Sequence, residues 1–242
     1  MSLLSITGLH RHYGGVRAVD GVDMSLDAGE LACIIGPNGA GKSTLMGLLS
    51  GAMPPTGGTV RFAGQEMTGR RTHEFARAGI LRKFQGGNVF QWMSVRDNLL
   101  TAGMETAAVH GRAMPDPDEV LETIKLVPQA ELNATGLSHG QRQWLEVGMI
   151  LMCAPRLLLL DEPAAGMTAV GTSDMADLIL RLRARHAIIV IEHDMGFVER
   201  LGCRTLVMHQ GRVIGEGAYD DLRRDETVRD VYLGRALADA AD

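Results

Sequence analysis

The sequence predicts a layered α/β chain, with a mainly parallel sheet, antiparallel strands toward the N-terminus and a helical segment inserted in the middle. Three observations carry this. The run Leu31–Ile35 is apolar throughout, as in a strand covered on both faces, and leads straight into the glycine-rich stretch GPNGAGKST at 36–44 and a helix-like segment. The same kind of strand returns twice after Pro155, as RLLLLD and AIIVIEHD, with an amphipathic stretch between. From about 86 to 155 that texture gives way to helical spacing with capping residues and acidic first turns.

The elements follow in order. Strands are expected at 3–6, 22–26 and 31–35, edged by Gly and Asp, and the helix from Thr44 ends at Gly51. Turn-rich flanks isolate a short strand at 59–62, read as an antiparallel edge on the parallel sheet. Ser94 can cap a helix from Val95, and DPDEVLETIKLV starts another with an acidic turn. Glycines and prolines make 103–117 a surface connection. A helix over 141–152 places Trp144, Val147 or Gly148, and Leu151 on one side. After the strand at 156–161 come a helix over 171–185, the strand of AIIVIEHD, and a hairpin of 204–209 with 212–216 around Gln210-Gly211. A last helix begins near Glu226. A length of 242 residues suits one substantial domain, with 1–85 and 156–242 forming the core and 86–155 the insertion.

Composition narrows the function. A formal charge of -5 gives no general attraction to polyanions, and no basic patch stands out, so direct nucleic-acid binding is not expected. The pairs Arg70-Arg71, Arg82-Lys83 and Arg223-Arg224 read as solvated faces or isolated contacts. Cys33, Cys153 and Cys203 form neither a disulfide framework nor a metal pair. No secretory signal and no membrane-spanning run is evident, so any role at a membrane needs an integral partner.

The strongest motif is Gly36 to Thr44, which matches G-x-x-x-x-G-K-[ST] between a strand and a helix. Its backbone amides, from Asn38, Gly39 and Ala40 through Gly41 to Thr44, can cradle phosphate at a helix N-terminus. Lys42 can reach the β and γ phosphates, and Ser43 can put a hydroxyl on magnesium. LLLLDEP then delivers Asp161 and Glu162 from a strand end. Asp161 suits a magnesium ion, and Glu162 can orient and deprotonate an attacking water. Gln85 follows ILRKF and can touch magnesium or the water; His193 follows IIVIE and can contact the γ phosphate and orient Glu162. On spacing alone, each of these last two is equally readable as a packed cap.

In this order the residues resemble the nucleotide-binding subunit of ATP-binding cassette (ABC) transporters, over essentially the whole chain. The fold so implied is a P-loop NTPase core with an antiparallel N-terminal β subdomain and an inserted α-helical subdomain. Gly36 to Thr44 matches the Walker A loop, Gln85 the Q-loop, LSHGQ at 137–141 the signature, 157–162 the Walker B strand with its glutamate, and His193 the switch histidine. Tyr13 matches the aromatic that stacks on adenine, with Val16 beside the nucleoside. The resemblance implies an ATPase using ATP and Mg2+, in which Ser138, Gly140 and Gln141 close over ATP held by another subunit. Two positions depart from the family pattern: His139 stands where glycine is common, and Thr168 where the D-loop commonly has aspartate.

Within the family, GILRKFQ, LSHGQRQWLEVGM, EPAAGMT, EHDMGFVERL and VYLG are most similar to the urea-importer branch, with branched-chain amino acids as the alternative cargo. The implied partners are a second copy or a related ABC ATPase, two integral membrane permeases and an extracytoplasmic substrate-binding protein. The implied location is peripheral, at the cytoplasmic face of the bacterial inner membrane. Phe90, Trp92 and Met93 form an apolar cluster suited to the permease or to packing within the insertion. A soluble mechanical ABC ATPase acting on nucleic acid or ribosomes is the different reading. It is disfavoured because the chain has one cassette and no long coiled addition.

Overall fold

The structure, a computed structural model, describes residues 2–83, 89–110 and 113–230, and for 105–110 the backbone alone. Strands β1 (Leu4–Tyr13) and β2 (Val16–Leu26) form a long antiparallel pair, followed by β3 (Leu31–Ile35) and helix α1 (Lys42–Leu49). Next come β4 (Gly57–Phe62), β5 (Gln65–Glu66), α2 (Thr72–Ala78) and β6 (Ile80–Arg82). Helices α3 (Val95–His110), α4 (Pro117–Thr123) and α5 (His139–Leu151) fill the middle of the chain. The layered part resumes with β7 (Leu157–Asp161), α6 (Ala169–Leu182), β8 (Ala187–Ile191), α7 (Met195–Leu201), β9 (Arg204–His209), β10 (Arg212–Ala218) and α8 (Tyr219–Leu222).

Two sheets result. One is four-stranded and antiparallel, in the order β2-β1-β4-β5; the other is six-stranded, in the order β10-β9-β3-β8-β7-β6, and parallel except for the β9–β10 hairpin. The strand at 59–62 is therefore not an edge of the parallel sheet. It pairs with β1, Leu4 opposite Phe62, because β1 runs long enough to take a partner on each side. The hairpin turn falls at Gln210 and Gly211, both at positive φ, as a tight two-residue connection requires.

The parallel strands alternate between two cores. Leu158, Leu160, Ile188 and Val190 face one core with the middle helices; Leu157, Leu159, Ile189 and Ile191 face the other with α1 and the antiparallel sheet. Burial on both faces explains why these strands read as unbroken apolar runs. Residues 103–117 are not simply a surface connection, since α3 continues to His110. Gly103 survives inside it because the helix packs closely there: an added Cβ would lie 2.7 Å from Met114 Sδ. Helix α6 starts two residues earlier than its apolar pattern suggests, because Thr168 caps it, its Oγ1 accepting from Gly171 N at 3.3 Å. The last helix is described over 226–230, and VYLG lies outside the described residues.

Candidate functional site

The site gathers at the C-terminal ends of neighbouring parallel strands β3, β8 and β7, where an open α/β sheet offers a crevice for a ligand. After β3, the chain turns through Gly36 to Gly41 and enters α1 from Gly41 at φ 102, with no side-chain cap, leaving the first amides of the helix for an anion. Close approach dictates two of the glycines. A Cβ on Gly36 would lie 2.2 Å from Met208 O, and one on Gly41 would lie 2.1 Å from Ala18 O. Backbone bonds lock the loop from outside, with Gly211 N donating to Ala40 O at 2.9 Å and Asp20 N to Gly211 O at 2.8 Å. Lys42 is buried, its Nζ donating to Gly36 O at 2.6 Å and Pro37 O at 3.1 Å, so the ammonium is held over the loop. Asn38, Gly39 and Ser43 are exposed around it, Ala40 is buried and Thr44 half-buried.

Asp161 ends β7 almost fully buried, with Arg82 Nη2 on its Oδ2 at 2.8 Å. Its Oδ1 is buried and makes no hydrogen bond among the described residues. An acceptor oxygen left open in this way, with the Ser43 hydroxyl on α1 and α1 packed on β7, fits a magnesium ion bound by oxygen ligands. Glu162 follows at φ 47, a conformation that is strained for a residue with a side chain and is held by Glu162 N donating to Ile191 O at 3.0 Å. Its Oε1 lies 3.4 Å from His193 Nδ1, which joins the predicted base and its predicted orienting residue. Gln85 lies outside the described residues.

Sequence reasoning missed three residues here. Arg82 and Lys83 are not a solvated pair: Arg82 braces Asp161, while buried Lys83 lies 3.3 Å from Glu146 and bonds Gln143, tying β6 to α5. Burial lowers the Lys83 pKa, and Glu146 opposes that shift. Glu192, also buried, accepts from Ala164 N at 3.2 Å and from His193 N at 3.3 Å, so one carboxylate fixes the backbone beside both Glu162 and His193. Burial pushes its pKa up. Each of these pairs spans residues far apart in sequence, apart from Glu192 with His193.

The signature turn is built differently. Ser138 Oγ accepts from Gln141 N at 3.3 Å and Gln141 Oε1 accepts from Ser138 N at 2.9 Å, a reciprocal cap on α5. Gln141 thus braces the turn, while nothing stands within 4 Å of a Cβ added to Gly140. His139 stays exposed but reaches its own chain, its Nε2 3.1 Å from Ala165 O, beside Gly166. Tyr13 and Val16 are exposed and pair across the β1–β2 turn, with the Arg11 guanidinium 4.5 Å from the Tyr13 ring centroid. Phe90 and Trp92 are exposed, whereas Met93 is half-buried. Their loop is pinned by fully buried Asn98, which accepts from Phe90 N at 2.8 Å and donates to Phe90 O at 3.0 Å and Ser94 O at 2.9 Å.

A phosphate loop feeding a helix, with carboxylates at the end of a nearby strand, defines the class of P-loop nucleotide hydrolases. The chain belongs to the ABC transporter family, whose profile matches residues 19–165. It is 36% identical over 251 residues to the high-affinity branched-chain amino acid transport ATP-binding protein BraF of Pseudomonas aeruginosa, covering 97% of this chain and 98% of the relative. LivG of Escherichia coli K12, a protein of the same description, matches with the same identity and coverage. Among solved structures, the ADP conformation of MJ1267, an ATP-binding cassette of an ABC transporter, superposes with a TM-score of 0.85 at 29% identity, covering 97% of this chain and 99% of the other. The chain is thus an ATP-hydrolysing subunit of the ABC type. No helix among the described residues is long and apolar enough to cross a membrane.

Proposed function

We propose that this chain hydrolyses ATP to drive import of branched-chain amino acids through a pair of integral membrane permeases. The observation that carries the catalytic part is the convergence of the Gly36–Lys42 loop, Asp161, Glu162 and His193 at adjacent strand ends, with Glu162 Oε1 3.4 Å from His193 Nδ1. Amides from Asn38 to Thr44 and the Lys42 ammonium bind the phosphates. Asp161 and Ser43 would hold Mg2+, with Gln85 as a further contact, and the ion supplies charge neutralisation at the transferring phosphoryl group. Glu162 accepts the proton of the attacking water, and His193 holds Glu162 and the γ phosphate in line. Tyr13 stacks on adenine, with Val16 alongside.

The open signature turn, Ser138 with Gly140, supports a head-to-tail pair in which each chain covers the ATP of the other, with a second copy or a related ATPase as partner. His139 bonds within its own chain, and Thr168 spends an acceptor on its helix cap, so neither side chain need enter the nucleotide interface. Exposed Trp92, on its pinned loop, suits a permease segment as a central aromatic anchor. The working place is then peripheral, on the cytoplasmic face of the inner membrane, with an extracytoplasmic binding protein delivering cargo.

For the cargo, the named relatives favour branched-chain amino acids over the urea reading suggested by the sequence segments. Reconstitution with the native permeases and binding protein, followed by a solute screen, tests this. Leucine, isoleucine or valine should stimulate ATP turnover; stimulation by urea or short amides alone would reverse the assignment.

A further inference from the structure

On the antiparallel β1–β2 pair, at residues other than those assigned to nucleotide or magnesium, His10, His12 and Asp20 meet. His10 and His12 are two apart on β1 and so share a face, and Asp20 lies directly opposite His10 on β2. His10 Nδ1 is 3.3 Å and His12 Nε2 is 3.5 Å from the same atom, Asp20 Oδ1. Both ring nitrogens are buried yet make no hydrogen bond among the described residues. The three candidate ligand atoms all lie within 4.8 Å of one another.

We propose that His10, His12 and Asp20 form a binding site for Zn2+ or a related borderline divalent transition-metal ion, distinct from the magnesium position. With Zn–N and Zn–O bonds of about 2.0–2.2 Å, the edge of a tetrahedron between two ligands is roughly 3.3–3.5 Å, the spacing of both imidazole nitrogens from the carboxylate oxygen. The carboxylate is already oriented. Arg212 donates to Asp20 Oδ2 through Nε at 2.9 Å and Nη2 at 2.7 Å, and Arg17 approaches the same oxygen at 3.4 Å, leaving Oδ1 to the rings. The Arg212 hydrogen bonds, with help from Arg17, hold the Asp20 carboxyl below the usual carboxylate range. The same guanidiniums weaken the oxygen as a donor and repel cations. Binding therefore rests on the two imidazoles, which selects zinc-like ions over Mg2+ and Ca2+.

The site is two bonds removed from the phosphate loop, because Asp20 N donates to Gly211 O and Gly211 N to Ala40 O. It also adjoins Tyr13, the residue after His12. An ion here would tie β1 to β2 beneath the adenine platform.

The test uses the full chain, stripped with a chelator and free of nucleotide. Zn2+ uptake is measured by equilibrium dialysis in excess Mg2+, and Co2+ serves as the spectroscopic probe. The expected result is one Zn2+ per chain, a visible Co2+ spectrum of the tetrahedral type that Zn2+ abolishes, and a Tm raised by Zn2+. The double substitution His10→Ala with His12→Ala should weaken uptake by about 100-fold or more and remove the Tm shift. Asp20→Asn should weaken it less, and His73→Ala not at all. Absence of uptake at sub-millimolar Zn2+, or uptake unchanged in the double variant, would overturn the proposal.

Discussion

Two helix N-termini in this chain, both proposed to meet phosphate, are made in opposite ways. At the phosphate loop, α1 starts from Gly41 with no side-chain cap, in a space so tight that an added Cβ would strike Ala18 O, and buried Lys42 lies across the loop. At the signature turn, α5 starts from a completed Ser138–Gln141 cap, and the space around Gly140 is open. The first is a socket closed by its own chain. The second has its cap completed within the turn and open space at Gly140, the property expected of a surface that must meet a ligand carried by another molecule.

Substitutions at the two termini, and at the end of β7, should therefore fail differently. Glu162→Gln should keep ATP binding and lower hydrolysis by roughly 10²–10⁴-fold, read by turnover against nucleotide affinity. Near-normal turnover would place the base elsewhere. Gly41→Ala should cost about 3 kcal/mol or more in chemical denaturation and lose nucleotide binding, since the added methyl meets backbone at a left-handed φ. Ser138→Ala should cost only about 1 kcal/mol, the usual loss for a helix cap, with ATP binding by the isolated chain retained. Trp92→Ala should change stability by no more than about 0.5 kcal/mol, because the residue is 82% exposed, while weakening association with the permeases. Unchanged association and coupling would remove Trp92 from that interface.

The contrast also explains what the sequence could reveal. Strands β3, β7 and β8 were legible because burial on both faces leaves an apolar run, and the phosphate loop because close backbone approach demands glycine at fixed spacing. Glu162 and His193 were placed correctly near each other because both follow such strands. The division into two sheets was not legible, since nothing local in residues 59–62 names β1 as their partner. Arg82 looked like a surface charge because its partner, Asp161, is 79 residues away. Glu192 was hidden for another reason: its partners are backbone amides, which carry no residue signature. Gly103 misled because helix propensity counts its flexibility and not the methionines packed against it. In the proposed transporter role, cargo would be recognised by partner proteins, so this chain's own residues indicate it only by likeness to relatives.

The central claim, that the open signature turn of one chain closes on the ATP of another, is tested most directly by the mass of the Glu162→Gln protein in solution with MgATP. A nucleotide-dependent dimer is predicted, formed by the native chain alone or with its related ATPase. Adding Gly140→Asp should abolish it: the space at its Cβ is open, and the new carboxylate would be set against phosphate. ATP-loaded protein that stays monomeric with every ATPase partner, or a dimer indifferent to Gly140→Asp, would contradict the account.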